Sequence, residues 1–311
     1  MKNQISGKQS YCIEIQGTDL FIPVTRIQGI RAGETITLSA GVHSREYIGI
    51  QALSVLAEQL KPEQISGTIL ILHCCNYEGF IRRSADVFPA DHKNLNRCFP
   101  GNEAGSETER TAYFLEHSII SDSDYIVDLH SGGFCESLIP HVYFHGSAAC
   151  DVCERSRMLA ELTGVPYIVR SRAENGFYSR AGQCGVPAII VERGGCGLVN
   201  PKEVQDDIRD VRNILRGLGF LNDGIPAVRC RQILIEDAFY EDSPISGCWH
   251  PNKIPGDLVS KDEKIGEIRD IYGNHLQDIR AKSDGRILYQ TVSLGIEAGT
   301  PMVAYTREDI A

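Results

Sequence analysis

Between Thr35 and about Gly219, short apolar segments alternate with longer segments that have helical spacing. Five of the short segments are rich in β-branched residues, and several are apolar throughout, without a polar residue at every second position. A continuous apolar run predicts a strand that is covered on both faces, as in parallel sheets. The predicted strands are 35–40, 68–74, 125–129, 166–170 and 187–191.

The segments between these strands place apolar residues three and four positions apart, which is typical of a helix with one buried face. This spacing predicts helices over 48–60 and 204–218. Ser106 followed by Glu109 has the form of a capping box and predicts a helix from there to about Ile119. Strands that alternate with helices favour an α/β fold with a mostly parallel sheet.

The pattern changes near residues 222–226, which read Asn-Asp-Gly-Ile-Pro. Beyond them, short strand-like runs alternate with turn sequences such as Pro255-Gly256 and Ser283-Asp284-Gly285, and no convincing helix is present. Such a pattern predicts a small all-β domain over residues 223–311, after a larger domain over residues 1–222.

Composition and charge argue against several classes of protein. The 311 residues include 31 Lys and Arg against 41 Asp and Glu, a formal net charge of −10, so we expect neither nucleic-acid nor membrane binding. No apolar run approaches the roughly 20 residues that span a bilayer, and the first six residues lack the apolar stretch of a secretory signal. The 11 cysteines have no framework spacing, which predicts reduced thiols in a cytoplasmic protein.

The first candidate motif, residues 41–46, lies where a predicted strand ends and a predicted helix begins. Residues three apart on a helical turn point the same way, so His43 and Glu46 could reach one metal ion. The alternative is a polar turn in which the helix start favours the Glu46 carboxylate. The local sequence leaves both interpretations open.

Two further predicted strands end in residues that could carry chemistry. His130 is followed by three small residues, which let a ligand approach closely. Asp128, two positions earlier on the same strand face, could orient His130, although an ordinary loop histidine is the alternative. Glu192 follows four apolar residues. Because burying an unpaired charge is costly, a carboxylate at this position predicts a nearby group that compensates its charge.

Together the three motifs predict a metal site more strongly than any one of them. Ligand sites in open α/β sheets gather at the carboxyl ends of the strands, so one rim could hold all four side chains. His43, Glu46 and His130 form a set of three ligands that leaves a position for water, which is typical of catalytic zinc. Glu192 could take the proton from that water.

A fourth segment, residues 94–101, offers hydrogen-bond donors for a substrate. Arg97 can bind a carboxylate through its planar fork, and Asn96 supplies a neutral amide. Arg82 and Arg83 are further candidates, one of which could stabilise a developing oxyanion, and Arg180 is a weaker one. A solvated loop with ordinary salt bridges is the alternative for each of these residues.

Taken in order, the motifs have the spacing of a known family. They read Gly41-x-His43-x-x-Glu46, Asn94-Leu95-Asn96-Arg97-x-Phe99-Pro100-Gly101, Asp128-Leu129-His130-Ser131-Gly132-Gly133 and Glu192-x-Gly194-Gly195. As a set, over roughly residues 20–220, they resemble the succinylglutamate desuccinylase/aspartoacylase family of zinc hydrolases, which are relatives of the zinc carboxypeptidases.

The resemblance implies one Zn²⁺ per chain held by His43, Glu46 and His130, with Glu192 as the general base. It implies that Asn96 and Arg97 bind a substrate carboxylate. It also implies a zinc carboxypeptidase-like mixed sheet sandwiched by helices, in a catalytic domain over residues 1–222.

Residues 223–311 resemble the small C-terminal domain of this family, which has a barrel-sandwich shape similar to biotinyl and lipoyl domains. The likeness rests on segments 256–259 and 284–288. Carrier domains present a lysine at a hairpin tip, whereas the comparable stretch here, residues 268–273, has none. We therefore expect no covalently attached cofactor.

The sequence thus predicts a cytoplasmic, zinc-dependent amidohydrolase that cleaves the amide bond of a small carboxylate-bearing substrate, such as an N-acyl amino acid. Segment 94–101 is most similar to the deacetylase and uncharacterised branches of the family, which leaves the substrate open. One alternative is a zinc carboxypeptidase that trims a peptide or poly-amino-acid tail, and another is a catalytically silent binding protein. The sequence is compatible with a homo-oligomer and does not define the oligomeric state.

Overall fold

The computed structural model describes residues 6–84, 86–227 and 230–307, and every helix and strand below belongs to these ranges. A nine-stranded mixed sheet forms the centre of this described structure. Strand β6 joins a different sheet, and the other nine of the first ten strands make up this one. In chain order the ten are β1 Gly7–Glu14, β2 Phe21–Gln28, β3 Arg31–Ala40, β4 Ser66–Leu72, β5 Tyr125–His130, β6 Glu136–Leu138, β7 His141–His145, β8 Tyr167–Ser171, β9 Ala188–Glu192 and β10 Ile233–Ile235.

The order across the sheet is β1-β2-β4-β3-β5-β9-β7-β8-β10. The block β4-β3-β5-β9 is parallel, β7 runs antiparallel to β9, and β7, β8 and β10 are again parallel to one another. Strands β1 and β2 add an antiparallel edge. The predicted α/β class is confirmed, and the sheet is mixed, as the family resemblance implied.

Helices cover both faces of the sheet and enclose two hydrophobic cores. They are α1 Tyr47–Gln59, α2 Tyr77–Arg82, α3 Glu107–Phe114, α4 Cys150–Glu161, α5 Phe177–Gln183 and α6 Pro201–Gly217. Helices α1, α4 and α6 bury residues such as Leu53, Leu159 and Leu215 on one face, and α3 and α5 bury Ala112 and Phe177 on the other. Coverage of both faces explains why the central strands are apolar at consecutive positions.

The capping-box prediction at α3 is also confirmed. The Glu109 carboxylate accepts a hydrogen bond from the Ser106 amide (2.8 Å), and the helix begins at Glu107. A π-helical turn, Leu115–Ile120, prolongs α3 close to the predicted end.

The C-terminal region folds into two antiparallel sheets around a core that contains Trp249, Ile268 and Tyr305. Its strands are β11 Ala238–Asp242, β12 Gly247–Pro251, β13 Leu258–Val259, β14 Lys264–Arg269, β15 His275–Arg280, β16 Gly285–Thr291, β17 Gly295–Ile296 and β18 Pro301–Thr306. One sheet has the order β11-β18-β16-β13, and the other has the order β15-β14-β12-β17. The all-β character predicted for this region is confirmed.

Two strands pair across the predicted domain boundary at residues 222/223. Strand β10, which follows the boundary, pairs with β8 of the large sheet. Strand β6, which precedes it, pairs with β16 of the C-terminal region. The boundary itself stays a prediction, but the regions on its two sides share both of these sheets.

Within the described ranges, no helix combines the length and the apolar composition needed to cross a bilayer. All eleven cysteines belong to the described part of the chain and are free thiols. Cys150 and Cys153, the lone CxxC pair, lie at the start of α4.

Candidate active site

Three parallel strands bring the predicted site residues to one rim of the large sheet. Strand β5 lies between β3 and β9, and its register aligns Ala40 with Leu129 and His130 with Glu192. His43 follows β3 in the chain, and together with His130 and Glu192 it lines one cavity. The structure therefore places at one rim the candidate residues that were predicted at the ends of the strands.

The side chains of His43, Glu46 and His130 converge on one another. Nδ1 of His43 lies 2.7 Å from Oε1 of Glu46, and Nδ1 of His130 lies 2.8 Å from Oε2 of the same carboxylate. Ligand atoms of all three residues lie within 4.8 Å of one another, so they could hold a single metal ion.

The backbone that brings His43 and Glu46 together differs from the prediction. Helix α1 begins only at Tyr47, so both residues lie in the loop before it and not on a helical turn. The Glu46 amide donates a hydrogen bond to the His43 carbonyl (3.3 Å), and this tight loop provides the closeness that a helical turn was expected to give.

Contacts behind the two histidines orient their rings. Nε2 of His130 lies 2.9 Å from Oδ2 of Asp128, whose Oδ1 accepts a hydrogen bond from Ser39 Oγ (2.7 Å). Nε2 of His43 lies 3.2 Å from Oδ1 of Asn94. A carboxylate behind a ligand histidine is a common arrangement in metal sites, because it fixes the tautomer and orientation of the ring.

The carboxylates of the cluster favour positive charge on its two imidazoles. Burial lowers the pKa of both histidines, but Glu46 more than offsets this at His43, and Asp128 with Glu46 raises the pKa of His130 well above its usual value. Burial raises the pKa of Glu46, but the imidazoles of His43 and His130 lower it to about 2. A metal ion displaces protons from its ligands, so a bound cation fits the place of these protons.

Glu192 is the last residue of β9, and its half-buried side chain lines the same cavity. Burial raises its pKa well above the usual value, His130 lowers it, and the Glu46 and Glu136 carboxylates raise it further. A carboxyl group with a raised pKa binds a proton more strongly than a free one, which suits it to accept a proton.

The cavity has a volume of about 520 Å³, within the range of small-molecule sites. Both sides of the predicted boundary contribute to it, since Tyr240 lies on β11 and Tyr289 on β16. The lining residues are His43, Asn96, Arg97, His130, Glu136, Leu138, His141, Tyr143, Ser171, Arg172, Ala173, Asn175, Tyr178, Ile190, Glu192, Tyr240 and Tyr289.

Asn96 and Arg97 lie in a 3₁₀ turn, Leu95–Arg97, on the cavity wall. Asn96 is buried, and its Oδ1 accepts a hydrogen bond from the Phe177 amide (2.9 Å), which leaves its Nδ2 hydrogens as donors. The exposed Arg97 donates from Nη1 to the Asn96 carbonyl (3.2 Å). Both residues are placed where they could bind an anionic group of a ligand.

The structure does not bring Arg82, Arg83 or Arg180 into this cavity. Arg82 ends α2 and pairs with Glu78 one turn back (2.7 Å), beside a separate cavity. Arg83 is exposed beyond the end of the same helix. Arg180 donates from Nε and Nη2 to the two oxygens of Glu116 (both 2.7 Å).

Helix α2 and the ion pairs with Glu78 and Glu116 hold these guanidinium groups away from the cavity. Besides Arg97, the cavity is lined by Arg172, which lies in the loop after β8. No sequence motif had indicated this residue.

Several other cavity residues were not predicted, namely Glu136, Tyr143, Tyr178, Tyr240 and Tyr289. The two tyrosines of the C-terminal region lie far from the motifs in the chain and reach the cavity through long-range packing. The backbone of Glu136 packs against the glycines that follow His130 and Glu192. A Cβ at Gly132 or Gly195 would lie only 2.4 Å or 2.7 Å from the Glu136 carbonyl oxygen.

Comparisons with known proteins extend this description. A family model described as the succinylglutamate desuccinylase/aspartoacylase catalytic domain matches residues 32–218. An N-alpha-acetyl-L-2,4-diaminobutyric acid deacetylase from Halomonas elongata is 29% identical to this chain over 299 residues, which covers 90% of this chain and 84% of the relative.

Solved structures show the same fold. A succinylglutamate desuccinylase/aspartoacylase from Rhodobacter sphaeroides is 25% identical, with a TM-score of 0.86, and the match covers 100% of this chain and 98% of that one. The product-bound ectoine utilization protein EutE (DoeB) from Ruegeria pomeroyi is 23% identical, with a TM-score of 0.86, and the match covers 98% of this chain and 96% of that one.

The fold and the cavity define an α/β protein whose central parallel strands end at a cluster of side chains able to hold a metal ion. The family match spans more than half of the sequence. The chain belongs to the succinylglutamate desuccinylase/aspartoacylase family.

Proposed function

We propose that the protein is a zinc-dependent hydrolase that cleaves the amide bond of a small carboxylate-bearing substrate, such as an N-acyl amino acid. The observation that carries this proposal is the convergence of His43, Glu46 and His130 beside Glu192 in one cavity. The relative from Halomonas elongata, which is named as a deacetylase of an N-acetylated amino acid, supports it.

The donor set fits zinc. Two imidazoles and one carboxylate are typical of catalytic Zn²⁺ sites, and the Asp128 carboxylate behind His130 is the support that such sites use. When bound there, Zn²⁺ supplies Lewis acidity, which polarises the scissile carbonyl and makes a water molecule more acidic.

Residues of the chain carry out proton transfer and substrate binding. Glu192 takes a proton from the attacking water at a carboxylate oxygen and passes it to the leaving amine. Arg97 and Nδ2 of Asn96 bind the substrate carboxylate, which orients the amide bond for attack. The cavity volume and the wall formed by Tyr240 and Tyr289 favour a small substrate over a peptide tail. A cytoplasmic location stays a prediction.

The test is an assay of purified protein on N-acyl amino acids and short peptides, with and without a chelator. We expect hydrolysis of at least one N-acyl amino acid, loss of activity in chelator, recovery with Zn²⁺, and about one zinc per chain by elemental analysis. Full activity in metal-free protein would refute the zinc role. Zinc-loaded protein that cleaves only peptides would favour the carboxypeptidase alternative.

Matched variants separate metal binding from general damage. His43→Ala removes one of the three protein ligands and should lose both zinc and activity. His250→Ala, which changes an exposed histidine on β12, should retain both.

A further inference from the structure

Strand β7 begins with a histidine that has no role in the proposed function. The register pairs His141 on β7 with Glu192 on β9, and Glu192 with His130 on β5, so the three residues form one row across neighbouring strands. Paired residues on neighbouring strands direct their side chains to the same face of a sheet, about 5 Å apart. All three residues line the main cavity. His141 therefore lies beside the proposed base, on the side away from His130.

The hydrogen bond of the His141 ring determines which nitrogen carries the proton. Nδ1 lies 2.7 Å from the carbonyl oxygen of Ile139. A carbonyl oxygen only accepts, so Nδ1 donates, and in a neutral imidazole Nε2 is then an acceptor. Burial lowers the pKa of His141 to about 4, which keeps the ring neutral near pH 7. His141 thus offers an uncharged hydrogen-bond acceptor.

This acceptor is buried and unpaired. The His141 residue is 1% exposed, and in the part of the chain that the structure describes its Nε2 has no hydrogen-bond partner. The Ile139 carbonyl holds the opposite edge of the ring, and Tyr143 packs against the ring in a T-shaped contact with centroids 4.8 Å apart. A buried polar atom that is held in place without a partner calls for an explanation, and a ligand that donates to it supplies one.

The partner of Nε2 must be a donor on the substrate. The carboxylate and the acyl oxygen of an N-acyl amino acid only accept hydrogen bonds, and Arg97 and Asn96 are already assigned to the carboxylate. The amide N–H is the donor that such a substrate carries at the bond that breaks. Glu192 has to reach this same nitrogen to deliver its proton, so an acceptor beside Glu192 is well placed for the N–H.

We propose that Nε2 of His141 accepts a hydrogen bond from the N–H of the scissile amide and so orients the leaving nitrogen. This inference rests on the proposed function. With its hydrogen held by His141, the nitrogen directs toward Glu192 the lone pair that develops as the amide becomes tetrahedral. That lone pair takes the proton from Glu192, and the electron pair of the breaking C–N bond stays on the nitrogen, which leaves as a neutral amine.

The test compares substrates that differ only at the leaving atom, with the zinc-loaded, full-length protein. The amide probes are the N-acetyl derivatives of alanine, aspartate and glutamate. Their ester partners are O-acetyllactate, O-acetylmalate and 2-acetoxyglutarate, in which an oxygen replaces the N–H. A third set consists of the same amides with a methyl group in place of the amide hydrogen.

His141→Asn separates the two nitrogens, because its amide can keep a donor in the place of Nδ1 and removes the acceptor at Nε2. Its kcat/KM on the amide probes should fall about fivefold or more, the scale of one hydrogen bond, while the ester partners change less than about twofold. The control is His117→Asn, an exposed histidine in the turn after α3 whose Nδ1 also lies near a backbone carbonyl, that of Tyr113 (3.0 Å). It should change neither value.

Each outcome supports or overturns the role of His141. Losses of equal size on amides and esters would show a structural effect and overturn it, and so would unchanged amide hydrolysis by folded His141→Asn. If this variant does not fold, the wild type decides: we expect the N-methyl amides to react at least about fivefold more slowly than the N–H amides, and equal rates would overturn the role. In all of these cases, hydrolysis of the N-acetyl amino acids leaves the proposed function standing. No hydrolysis of any of them overturns both proposals.

Discussion

Glu192 and Arg193 are neighbours in the chain, but their side chains lie on opposite sides of the end of β9. Glu192 lines the cavity, whereas the buried Arg193 donates from Nε to Asp207 on α6 (2.7 Å) and from Nη2 to Asp210. Arg193 thus pairs with the two aspartates of α6 and not with the adjacent Glu192. Arg193 joins the strand end to α6, so Glu192 lies on a backbone that is anchored to that helix.

The first prediction concerns Glu192→Gln, which keeps the shape of the side chain and removes its basicity. We expect kcat to fall about 100-fold or more, the scale of general base catalysis. KM should change less, because ground-state contacts survive. Zinc content and melting temperature should stay near wild-type values. A stable, zinc-loaded and fully active variant would exclude Glu192 from the mechanism.

The second prediction concerns Arg97. Arg97→Lys keeps the charge but replaces a planar fork with a point charge, so it should not restore function at a site that binds a carboxylate through two parallel hydrogen bonds. We expect kcat/KM on the best substrate to fall by a factor that corresponds to roughly 1.5–3 kcal/mol in Arg97→Ala. Steady-state kinetics of both variants tests this. An unchanged kcat/KM in Arg97→Ala would end the proposed role.

At the scale of elements, the loop that carries Asn96 and Arg97 is tied to the start of α3. Oδ1 of Asp91 accepts hydrogen bonds from Thr108 Oγ1 (2.6 Å) and from the Lys93 amide (3.1 Å), and Oδ2 accepts one from the Thr108 amide (3.1 Å). Asp91 thus caps a helix from outside it and holds the loop of Asn96 and Arg97 against that helix.

The third prediction is the pH dependence of this contact. Burial raises the pKa of Asp91, but the nearby Ser106 hydroxyl and the hydrogen bonds from Thr108 and Lys93 lower it by more, so its folded pKa lies below the unfolded one. A lowered carboxyl pKa stabilises the fold above the unfolded pKa of about 4, and the effect is lost as the pH falls through the folded pKa.

Asp91→Asn keeps an oxygen that can accept the hydrogen bonds but removes the charge, so it should lower the free energy of unfolding by about 0.3–1 kcal/mol at pH 7, the scale of a charge at a helix start. The difference from wild type should shrink as the pH falls below about 4. Urea unfolding at several pH values measures this, with the exposed Asp122→Asn as the control. A gap between wild type and Asp91→Asn that stays constant with pH would contradict it.

The central strands and helices α1, α3 and α6 were predictable because their signals are local. Apolar runs identified the central strands, and polar residues at their ends identified His130 and Glu192. The contributions of Glu136 and Tyr289 were not predictable, since they depend on the pairing of β6 with β16, more than 140 residues apart in the chain. Arg82 and Arg83 were expected near the substrate but lie outside the main cavity. A motif near the rim does not reveal in which direction a short helix orients the residues at its end.

At the scale of the whole molecule, a small apolar cluster joins the two regions. It contains Val169 on β8, Ile235 on β10 and Leu288 on β16, all of them buried. Leu288 precedes Tyr289 of the cavity wall, so the packing between the regions and the shape of the cavity depend on the same strand.

The fourth prediction tests this coupling with Leu288→Ala. Loss of a fully buried leucine should cost about 2–5 kcal/mol of unfolding free energy. The chain should still unfold in one transition, and kcat/KM should fall because Tyr289 shifts. Calorimetry and kinetics check both points, with Leu294→Ala, which changes a leucine that is 58% exposed, as the control. Two separate transitions, of which only one moves, would show that the regions are independent.

The pairing of β6 with β16 also limits how such proteins can be recombined. A chimera joined near residue 222 would place this chain's β6 against a foreign β16, and the register of that pairing sets whether the side chain at position 136 faces the cavity. An exchange of the C-terminal region that keeps this pairing intact therefore has to carry β6, residues 136–138, along with it.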